Sequence, residues 1–563
     1  MTLPGLRADN LMECHCVPYS RLPTTSALFL DYINHFERVA DFYGGGTPFA
    51  LSSYQKVAAR LDASPASRSR VAAVLTRQNQ SFGAGDATLA NLKRLAEPGT
   101  MAVVTGQQVG LFSGPAFTLY KALTAIHLAE WLSAQGLPCL PVFWLATEDH
   151  DLAEVASTAV LDNDYNRVAL SDPGNRPAPQ CSVGYARLTT PITEELSRLE
   201  SALPQGETRE RLLHDLRESY QPGAHWGAAF ARFLTRLFSR WGVILVDALD
   251  PELHNLAAPL YSKAVAEAVD LNALLLQRSQ SLVAAGYHAQ VHVGHESTLV
   301  FSEHEGNREP LRLTDSGKSF KLDEGEHLSS AKVQASAGTH PERWTPNALF
   351  RPVVQDVLLP TVAYVAGSAE LAYHGQSAVL YPAFGRPQPV IAPRAAFTLI
   401  DPRSQRLLNQ YHLSVEDVWQ GEGHLRQKIA ATGFAPGWQT RLDQGEEEII
   451  RLLEHLRSDL GAIDPTLLDG FERARKRTLY QFERLKGKIT RAAFIRSEVL
   501  RRHEAALRAF LTPGGILQER GLGGAYFLGR LGYEILEGLL ARITLRSAAH
   551  QVVRTQEAAA GAA

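Results

Sequence analysis

The chain has 563 residues, of which 45% are hydrophobic and 20% are charged, and its formal net charge at pH 7 is -3. This length predicts two or three folding units, and the small net charge gives no global attraction to nucleic acid or to anionic lipid. The chain has neither a signal-peptide pattern nor an apolar run near the roughly 20 residues of a membrane helix, so we expect a cytoplasmic protein without nucleic-acid or membrane partners.

The N-terminal third predicts a helical lead-in followed by an α/β core. Residues 1–95 contain candidate helices at 26–42 and 53–60. Next, the short strand "MAVVT" precedes a helix after Gly114, with Pro115 as its first residue, and the apolar strand "PCLPVFWLAT" follows. Such a βαβ pattern predicts a parallel sheet in which the carboxyl ends of the strands meet at one edge.

Further strands are predicted at 241–251, 358–367 and 388–400, and the alternation in "HAQVHVGHESTLVFSEHEG" predicts antiparallel strands in a small subdomain. The predicted organisation is a lead-in (1–95), three core segments (96–161, 241–285 and 346–400), two insertions (162–240 and 286–345), a helical coiled coil (401–510), a helix that returns to the core (511–556) and a disordered tail (557–563).

Two helices of the coiled coil can be read from apolar spacing. Apolar residues recur at steps of three and four from Ile449 to Leu467, and a second series runs from Phe482 to Ala492. The sequence "IDPTLLDG" separates the two series, so we expect an antiparallel hairpin. The charged residues between the apolar positions have mixed signs and are interpreted as solvated faces.

The glycine-rich stretch "VVTGQQVGLFSGPAFTLYK" is the first candidate binding element. It matches neither the P-loop nor the dinucleotide fingerprint, but its glycines let the backbone approach a ligand, and free N–H groups at the helix start would attract an anion. The alternative is a tight turn with a solvated lysine. The candidate residues are Gly106, Gln107, Gln108, Gly110, Gly114 and Thr118, with Lys121 as the cation.

The acidic motif "TEDHD" follows a strongly apolar strand and is expected beside the glycine-rich stretch. Glu148, Asp149, His150 and Asp151 could bind an amine or Mg²⁺, or accept a proton. The alternative is a helix N-cap followed by acidic first-turn residues, which would explain Asp149 and Asp151 alone.

The segment "NALFRPVVQDVLLPTVAYVAGSAELAYHGQ" places polar residues on both sides of another predicted strand, which suggests a second wall of the same crevice. Each residue could instead be structural, and Arg351 with Asp356 could be an ion pair. The candidate residues are Asn347, Arg351, Gln355, Asp356, Gly367, Glu370 and Tyr373.

No metal site is predicted. The sequence "CHC" at Cys14 to Cys16 offers two thiolates and an imidazole, but zinc normally requires a fourth ligand and wider spacing. His288, His292 and His295 are interpreted as surface residues without a metal. Four cysteines in so long a chain do not form a disulfide framework, so we expect reduced thiols.

Taken together, four segments closely resemble the BshC family of cysteine ligases in bacillithiol biosynthesis: "VVTGQQVGLFSGPAFTLYKALTAI", "PVFWLATEDHDLAEV", the Asn347 segment and "PVIAPRAAFTLI". The resemblance extends over essentially the whole chain. It implies a Rossmann-like core similar to class I aminoacyl-tRNA synthetases, with connecting-peptide insertions and a coiled coil that forms a homodimer. It also implies a reaction in which the carboxyl group of cysteine is joined to the amine of glucosaminyl-malate.

Carboxylate activation would require ATP and Mg²⁺, although the sequence has no standard ATP-binding motif. In this hypothesis Lys121 and the glycine-rich stretch hold a phosphate or the malyl carboxylate. Glu148, Asp149 and Asp151 bind an ammonium group or Mg²⁺, and His150 transfers a proton. The alternatives are another ATP- or sugar-dependent ligase or transferase on the same scaffold, and a non-catalytic coiled-coil scaffold protein.

Overall fold

The structure is a computed structural model that describes residues 13–61, 65–304, 306–314, 319–322, 325, 327–433 and 438–556. Two compact units are formed. The first contains the described residues of Met1–Asn163, Arg167–Thr398 and Glu519–Ala563, and the second contains Asp164–Asn166 and Leu399–Gln518. In the described parts of the chain, no helix combines the length and the apolar character that crossing a bilayer requires.

Fifteen strands lie in the described residues. In chain order they are β1 Cys14–Val17, β2 Met101–Gln107, β3 Cys139–Leu145, β4 Ser157–Leu161, β5 Arg167–Ser171, β6 Ile244–Asp247, β7 Ser297–His304, β8 Asn307–Thr314, β9 Ser319–Lys321, β10 His327–Ser329, β11 Trp344–Pro346, β12 Thr361–Ala366, β13 Val390–Pro393, β14 Ala396–Ile400 and β15 His550–Arg554.

The α-helices of the described residues up to β14 are α1 Ala27–Asn34, α2 Leu51–Ala58, α3 Pro65–Ser81, α4 Asp86–Leu95, α5 Phe117–Ala134, α6 Leu152–Val155, α7 Ile192–Ala202, α8 Glu207–Ser219, α9 Trp226–Phe238, α10 Pro251–Ala266, α11 Ala268–Ala284, α12 Ser330–Thr339, α13 Arg351–Leu358, α14 Ser368–Ser377 and α15 Leu380–Ala383. Those after β14 are α16 Pro402–Gln410, α17 Val415–Trp419, α18 Glu422–Gly433, α19 Trp438–Ile463, α20 Leu468–Arg496, α21 Glu498–Leu511, α22 Gln518–Gly521, α23 Gly524–Leu531 and α24 Glu534–Leu540.

A five-stranded parallel sheet forms the centre of the first unit, as predicted, in the order β13-β12-β2-β3-β6. Its strands are apolar on both faces because two cores enclose the sheet. On β2, Val104 packs into one core with Trp144, whereas Val103 packs into the other with Leu128. The carboxyl ends of β2, β3 and β12 therefore meet at one edge.

The antiparallel strands predicted within residues 286–345 are also confirmed. They form a five-stranded antiparallel sheet in the order β10-β9-β8-β7-β11. In the insertion predicted over 162–240, β5 pairs antiparallel with β4, which precedes the insertion, and α7, α8 and α9 follow.

Four local predictions are wrong. The first core strand, predicted as "MAVVT", does not end at Thr105 but continues to Gln107, and α5 begins at Phe117 rather than at Pro115. The lead-in contains the strand β1, which pairs antiparallel with β15 near the other end of the chain. The predicted returning helix is three short helices, α22 to α24, followed by β15. The predicted tail, 557–563, lies outside the described residues.

The second unit is helical, and its longest helices form the predicted antiparallel hairpin. A short turn at Pro465–Leu467 joins α19 to α20. The Lys486 Nζ lies 2.6 Å from the Glu446 Oε2, and the Arg457 Nε lies 3.0 Å from the Glu472 Oε1. The start of α19 therefore lies beside the latter part of α20, and the end of α19 lies beside the start of α20.

The edge strand β6 is capped by side chains of α3. The Asn79 side chain accepts from the Leu245 N–H at 3.0 Å and donates to the Leu245 carbonyl at 2.8 Å. Gln78 makes the same pair of hydrogen bonds with Asp247. These amides replace a neighbouring strand, and so they satisfy backbone groups that would otherwise be exposed for pairing.

We expect Asn79→Ala to lower the free energy of unfolding by roughly 1–3 kcal/mol, because it leaves buried backbone groups of Leu245 without partners. Urea denaturation would measure the change. Gln80→Ala removes an exposed amide from the next position of the same helix and should change the free energy by less than about 0.5 kcal/mol. Equal effects of the two substitutions would contradict the capping role.

Candidate active site

A cavity of about 710 Å³ opens at the carboxyl ends of β2, β3 and β12. The insertion sheet, α11 and the segment between them supply its mainly apolar wall, which includes Leu275, Val293 and Leu311. Twelve of the predicted site residues line the cavity: Gly106, Gln107, Gln108, Lys121, Glu148, Asp149, His150, Asn347, Arg351, Gly367, Glu370 and Tyr373. The three predicted motifs therefore converge on one pocket.

Gly110, Gly114 and Thr118 do not line the pocket. A Cβ on Gly110 would lie 2.6 Å from the Gly114 Cα, and Gly114 has a φ of +67°, so both positions require glycine for close packing of the turn. The Ala116 N–H at the helix start donates to the Leu522 carbonyl at 3.0 Å. The prediction that this helix start presents free N–H groups to an anion is therefore not supported.

Gln355 and Asp356 lie behind the pocket wall. The Asp356 carboxylate accepts from Tyr381 at 2.6 Å and from Gln355 at 2.8 Å, and Gln355 accepts from Arg351 at 2.9 Å. Burial raises the pKa of Asp356 to about 6. The proposed ion pair between Arg351 and Asp356 does not form, because the Gln355 amide lies between them.

Lys121 lies on the pocket floor, where its ammonium group is fully engaged. The Nζ donates to the Gly106 carbonyl at 2.7 Å and to the Gln107 Oε1 at 2.8 Å, and it forms an ion pair with Glu370 at 2.5 Å. Burial lowers the pKa of Lys121 to about 8, although Glu370 opposes this shift. An ammonium has three donors, so Lys121 is not free to bind an anion in this arrangement.

Tyr364 connects this ion pair to Arg351, and Tyr373 is a second tyrosine bonded to Arg351. The Tyr364 hydroxyl donates to Glu370 at 2.8 Å, and Arg351 donates to the hydroxyls of Tyr364 at 3.3 Å and Tyr373 at 3.2 Å. The pocket floor is therefore a continuous hydrogen-bonded network. Because each partner holds the next, the network fixes the side chains before a ligand arrives.

Glu148 is the buried carboxyl group of the acidic motif, with 5% of its surface exposed. Burial raises its pKa to about 7, although Arg308 and Arg351 oppose this shift. Its backbone carbonyl accepts from the Ser182 hydroxyl at 3.1 Å, which anchors the loop. A carboxyl group with a pKa near neutrality can take up or release a proton under ordinary conditions.

The other acidic side chains have different environments. The Gln108 amide donates to the Asp149 Oδ2 and to the Glu154 Oε2, each at 2.7 Å, so both carboxylates face one donor. Asp151 does not line the pocket. Its Oδ1 accepts from the Glu154 N–H at 3.1 Å as the N-cap of α6, which confirms the capping alternative for this residue.

His150 lines the pocket beside Arg308, which lies on β8 of the insertion sheet. The Arg308 Nη1 lies 3.1 Å from the His150 Nδ1. Arg308 was not predicted from the sequence, because nothing in the alternating pattern of β8 distinguishes a pocket arginine from a surface one.

A basic end of the pocket was also missed. Arg394 and Arg520 lie with their guanidinium carbons 5.2 Å and 5.6 Å from the centre of the Phe117 ring. Arg394 is paired with the buried Glu519 through both terminal nitrogens. Arg520 forms no hydrogen bond or ion pair with any described residue, so its donors are available. Arg394 lies in "PVIAPRAAFTLI", one of the segments that resemble the family, so the sequence could have indicated it. Arg520 lies far along the chain from the motifs of the core.

No group of three or more histidine, cysteine, aspartate or glutamate side chains in the described residues is arranged to hold a metal ion. Cys14 and Cys16 are exposed on β1, and all four cysteines are free thiols. Of the three histidines near residue 290, His292 lines the pocket, whereas His288 contacts the Gln290 side chain at 3.0 Å.

Comparison with known proteins identifies the family. Residues 12–395 match the N-terminal Rossmann-like domain of the bacillithiol biosynthesis family BshC, and residues 397–555 match its C-terminal coiled-coil domain. The chain belongs to the BshC family. The Rossmann-like and coiled-coil predictions are therefore confirmed, whereas the similarity to class I aminoacyl-tRNA synthetases stays a prediction.

Several full-length relatives carry the name "Putative cysteine ligase BshC". The protein from Solibacter usitatus is 38% identical over 96% of this chain and 100% of its own length, and that from Koribacter versatilis is 37% identical over 93% and 97%. The relative from Salinibacter ruber is 33% identical over 96% of this chain and 98% of its own length.

The Lys121–Glu370 contact predicts a strong stability coupling. Lys121→Met leaves the Glu370 carboxylate without its cation and should cost about 3 kcal/mol of unfolding free energy. The double variant with Glu370→Gln should lose less than the sum of the two single variants, because the unpaired charge is gone. A double-mutant cycle in urea measures this coupling, and additive effects would contradict the ion pair.

Proposed function

We propose that this chain is a cytoplasmic cysteine ligase of bacillithiol biosynthesis, which joins the carboxyl group of cysteine to the amine of glucosaminyl-malate. Family membership and the names of the relatives support the reaction class. The observation that carries the proposal is Glu148, a buried carboxyl group with a pKa near 7 in a pocket large enough for several small substrates.

The chemistry requires an amine that has lost its proton. An amine attacks an activated carbonyl carbon, the C–N bond forms, and the bond from that carbon to the leaving group breaks. The nitrogen loses one proton in the process, and the Glu148 carboxylate can accept it. A general base is most effective when its pKa lies near the working pH, which matches the buried position of Glu148.

Activation of the cysteine carboxylate by ATP and Mg²⁺ is part of the proposal. When bound, they would supply a good leaving group on that carboxyl. One nitrogen of the Gln108 amide donates to an oxygen of Asp149 and to an oxygen of Glu154, so the two carboxylates face a common point. A cation would be stable at that point, and Asp149 and Glu154 are therefore suited to hold Mg²⁺. Mg²⁺ commonly uses one or two carboxylates together with substrate phosphates.

The basic end of the pocket is the proposed site for the anionic group of a substrate, whether phosphate or malyl carboxylate. Lys121 was predicted for this role, but its donors are occupied by Gly106, Gln107 and Glu370. Arg520 retains its donors, and guanidinium groups bind carboxylates and phosphates through two parallel hydrogen bonds. We therefore assign Lys121 to holding the pocket floor and Arg520 to anion contact.

Glu148→Gln should reduce the rate of ligation by about 10²–10⁴-fold, because the amide cannot accept a proton. In the unsubstituted protein, kcat/KM should rise with pH through about 7, since the carboxylate is the active form. Mass spectrometry of bacillithiol formed from cysteine, glucosaminyl-malate, ATP and Mg²⁺ measures both effects.

Glu130→Gln is the matched control for that experiment. Burial also raises the pKa of Glu130, but this residue lies on α5 outside the pocket, so its substitution should leave the rate and the pH profile unchanged. Full activity of the Glu148 variant, or a profile that is flat between pH 6 and 8, would refute the assignment of Glu148 as the base.

We also propose a homodimer that forms through the hairpin of the second unit. Leu452, Leu456 and Ile463 on α19 are 59%, 43% and 76% exposed. Their separations of four and seven residues place them on one side of the helix, as in a coiled-coil seam. A second copy of the chain would bury this apolar stripe.

The double substitution Leu452→Glu and Leu456→Glu should convert the dimer to a monomer, because it introduces charge into the apolar stripe. Light scattering after size exclusion gives the mass of each form. Glu447→Lys and Glu454→Lys change charges at exposed positions of the same helix and should leave the mass unchanged. A monomeric unsubstituted protein would refute the proposal.

A further inference from the structure

Two of the four cysteines are exposed, and they lie two residues apart on one strand. Cys14 and Cys16 belong to β1, whereas Cys139 and Cys181 are buried. Side chains alternate between the two faces of a strand, so Cys14 and Cys16 share a face while His15 lies on the other. The two thiols that solvent reaches are therefore neighbours.

The spacing of these two cysteines lies at the limit that a disulfide can bridge. A strand rises about 3.2–3.4 Å per residue, which separates alternate Cα atoms by about 6.4–6.8 Å. Disulfides usually join Cα atoms about 4.4–6.8 Å apart, and a strained bridge is easily reduced. Of the described strands only β15 pairs with β1, so β1 is an edge strand whose free side lets it contract slightly. A bridge between Cys14 and Cys16 would therefore form and break reversibly.

The surroundings of the two thiols differ. The Cys14 Sγ lies 3.5 Å from the Gln551 Oε1, to which it donates as a thiol. Partial burial raises the pKa of Cys14 and the neighbouring Cys16 raises it further, although Arg542 opposes both effects. The Cys16 thiol forms no hydrogen bond with a described residue. Because a thiolate and not a thiol attacks a disulfide, exchange should begin at Cys16.

We propose that Cys14 and Cys16 form a dithiol site that exchanges with disulfides of low-molecular-weight thiols, outside the active-site pocket. The Cys16 thiolate attacks one sulfur of the small disulfide, an S–S bond to Cys16 forms, and the other half leaves as a thiolate. Cys14 then loses its proton and attacks the Cys16 sulfur, which releases the second half. One small disulfide and two protein thiols thus give one protein disulfide and two small thiols, so electrons and protons balance.

The proposed reaction would itself supply a thiol of this class. Ligation through the carboxyl group leaves the thiol of cysteine unmodified, and oxidation joins two such product molecules through an S–S bond. The dithiol would therefore be oxidised when the product is oxidised. This link rests on the proposed function, whereas the exchange itself does not.

Mass spectrometry with peptide mapping tests the exchange in the full-length protein. After incubation with 2-hydroxyethyl disulfide and blocking of the remaining thiols in denaturant, we expect a disulfide between Cys14 and Cys16. The buried Cys139 and Cys181 are internal controls and should carry the blocking group. An excess of 2-mercaptoethanol should restore both exposed thiols. The absence of the bridge, or a bridge that 2-mercaptoethanol does not reduce, would overturn the proposal.

Single substitutions test the order of attack. In Cys14→Ser the exchange should stop at a mixed disulfide on Cys16, because no second thiol releases the bound half. In Cys16→Ser the remaining Cys14 should react at least about tenfold more slowly, since its thiol donates to Gln551. Equal rates in the two variants would overturn the assignment of Cys16 as the attacking thiol. His15→Ser is the matched control, because it changes the opposite face of the same strand and should leave the bridge intact.

The disulfide of chemically prepared bacillithiol is the second probe. It should form the same bridge, and failure of this probe where 2-hydroxyethyl disulfide succeeds would overturn the link to the product. The exchange assay requires no ligation. A protein that forms the bridge but does not ligate cysteine would therefore refute the proposed function and support the dithiol site.

Discussion

The active-site edge of the first unit depends on the buried contact between Lys121 and Glu370. Lys121 lies on the helix that follows β2, and Glu370 lies on the helix that follows β12, so one ion pair joins two elements across the central sheet. The same ammonium holds the Gly106 carbonyl at the end of β2. The desolvation of both charges is costly, and it is offset because every donor of the lysine is matched.

This constraint divides the pocket into parts with different chemistry. The floor is committed to internal hydrogen bonds among Lys121, Glu370, Tyr364 and Arg351, so ligand recognition falls to groups at its margins. One margin is the acidic loop after β3, and another is the basic end around Phe117. The insertion sheet completes the enclosure with an apolar wall and two arginines, Arg308 and Arg312.

The sequence alone predicted those elements whose pattern of residues lies within one short stretch of the chain. Buried strands such as β2 and β3 are continuous apolar runs with a helix between them, and polar motifs at their ends indicated the pocket correctly. By contrast, β1 could not be predicted, because it is a strand only through pairing with β15. Lys121 was placed correctly but was expected to be free, since the sequence does not reveal which buried carboxylate reaches a lysine.

Other predicted site residues also differ in whether their role could be read from the local sequence or only from the three-dimensional contacts. Asp151 and Gly114 belong to motifs that border the pocket, yet one caps a helix and the other packs a turn. Their types suited a ligand equally well, and only the three-dimensional contacts separate the two uses. Arg308 shows the reverse case, because its importance arises from an approach between a core loop and an inserted sheet.

The pairing of β1 with β15 constrains the order in which a nascent chain can fold. The first unit includes residues from Glu519 onward, whereas Leu399–Gln518 forms a unit of its own. A ribosome must therefore synthesise the whole second unit before the strand that completes the first unit emerges. Until then β1 has no partner strand, and the basic end of the pocket is incomplete, because Glu519 and Arg520 are synthesised after the second unit. The pocket is thus completed only after the second unit has been synthesised.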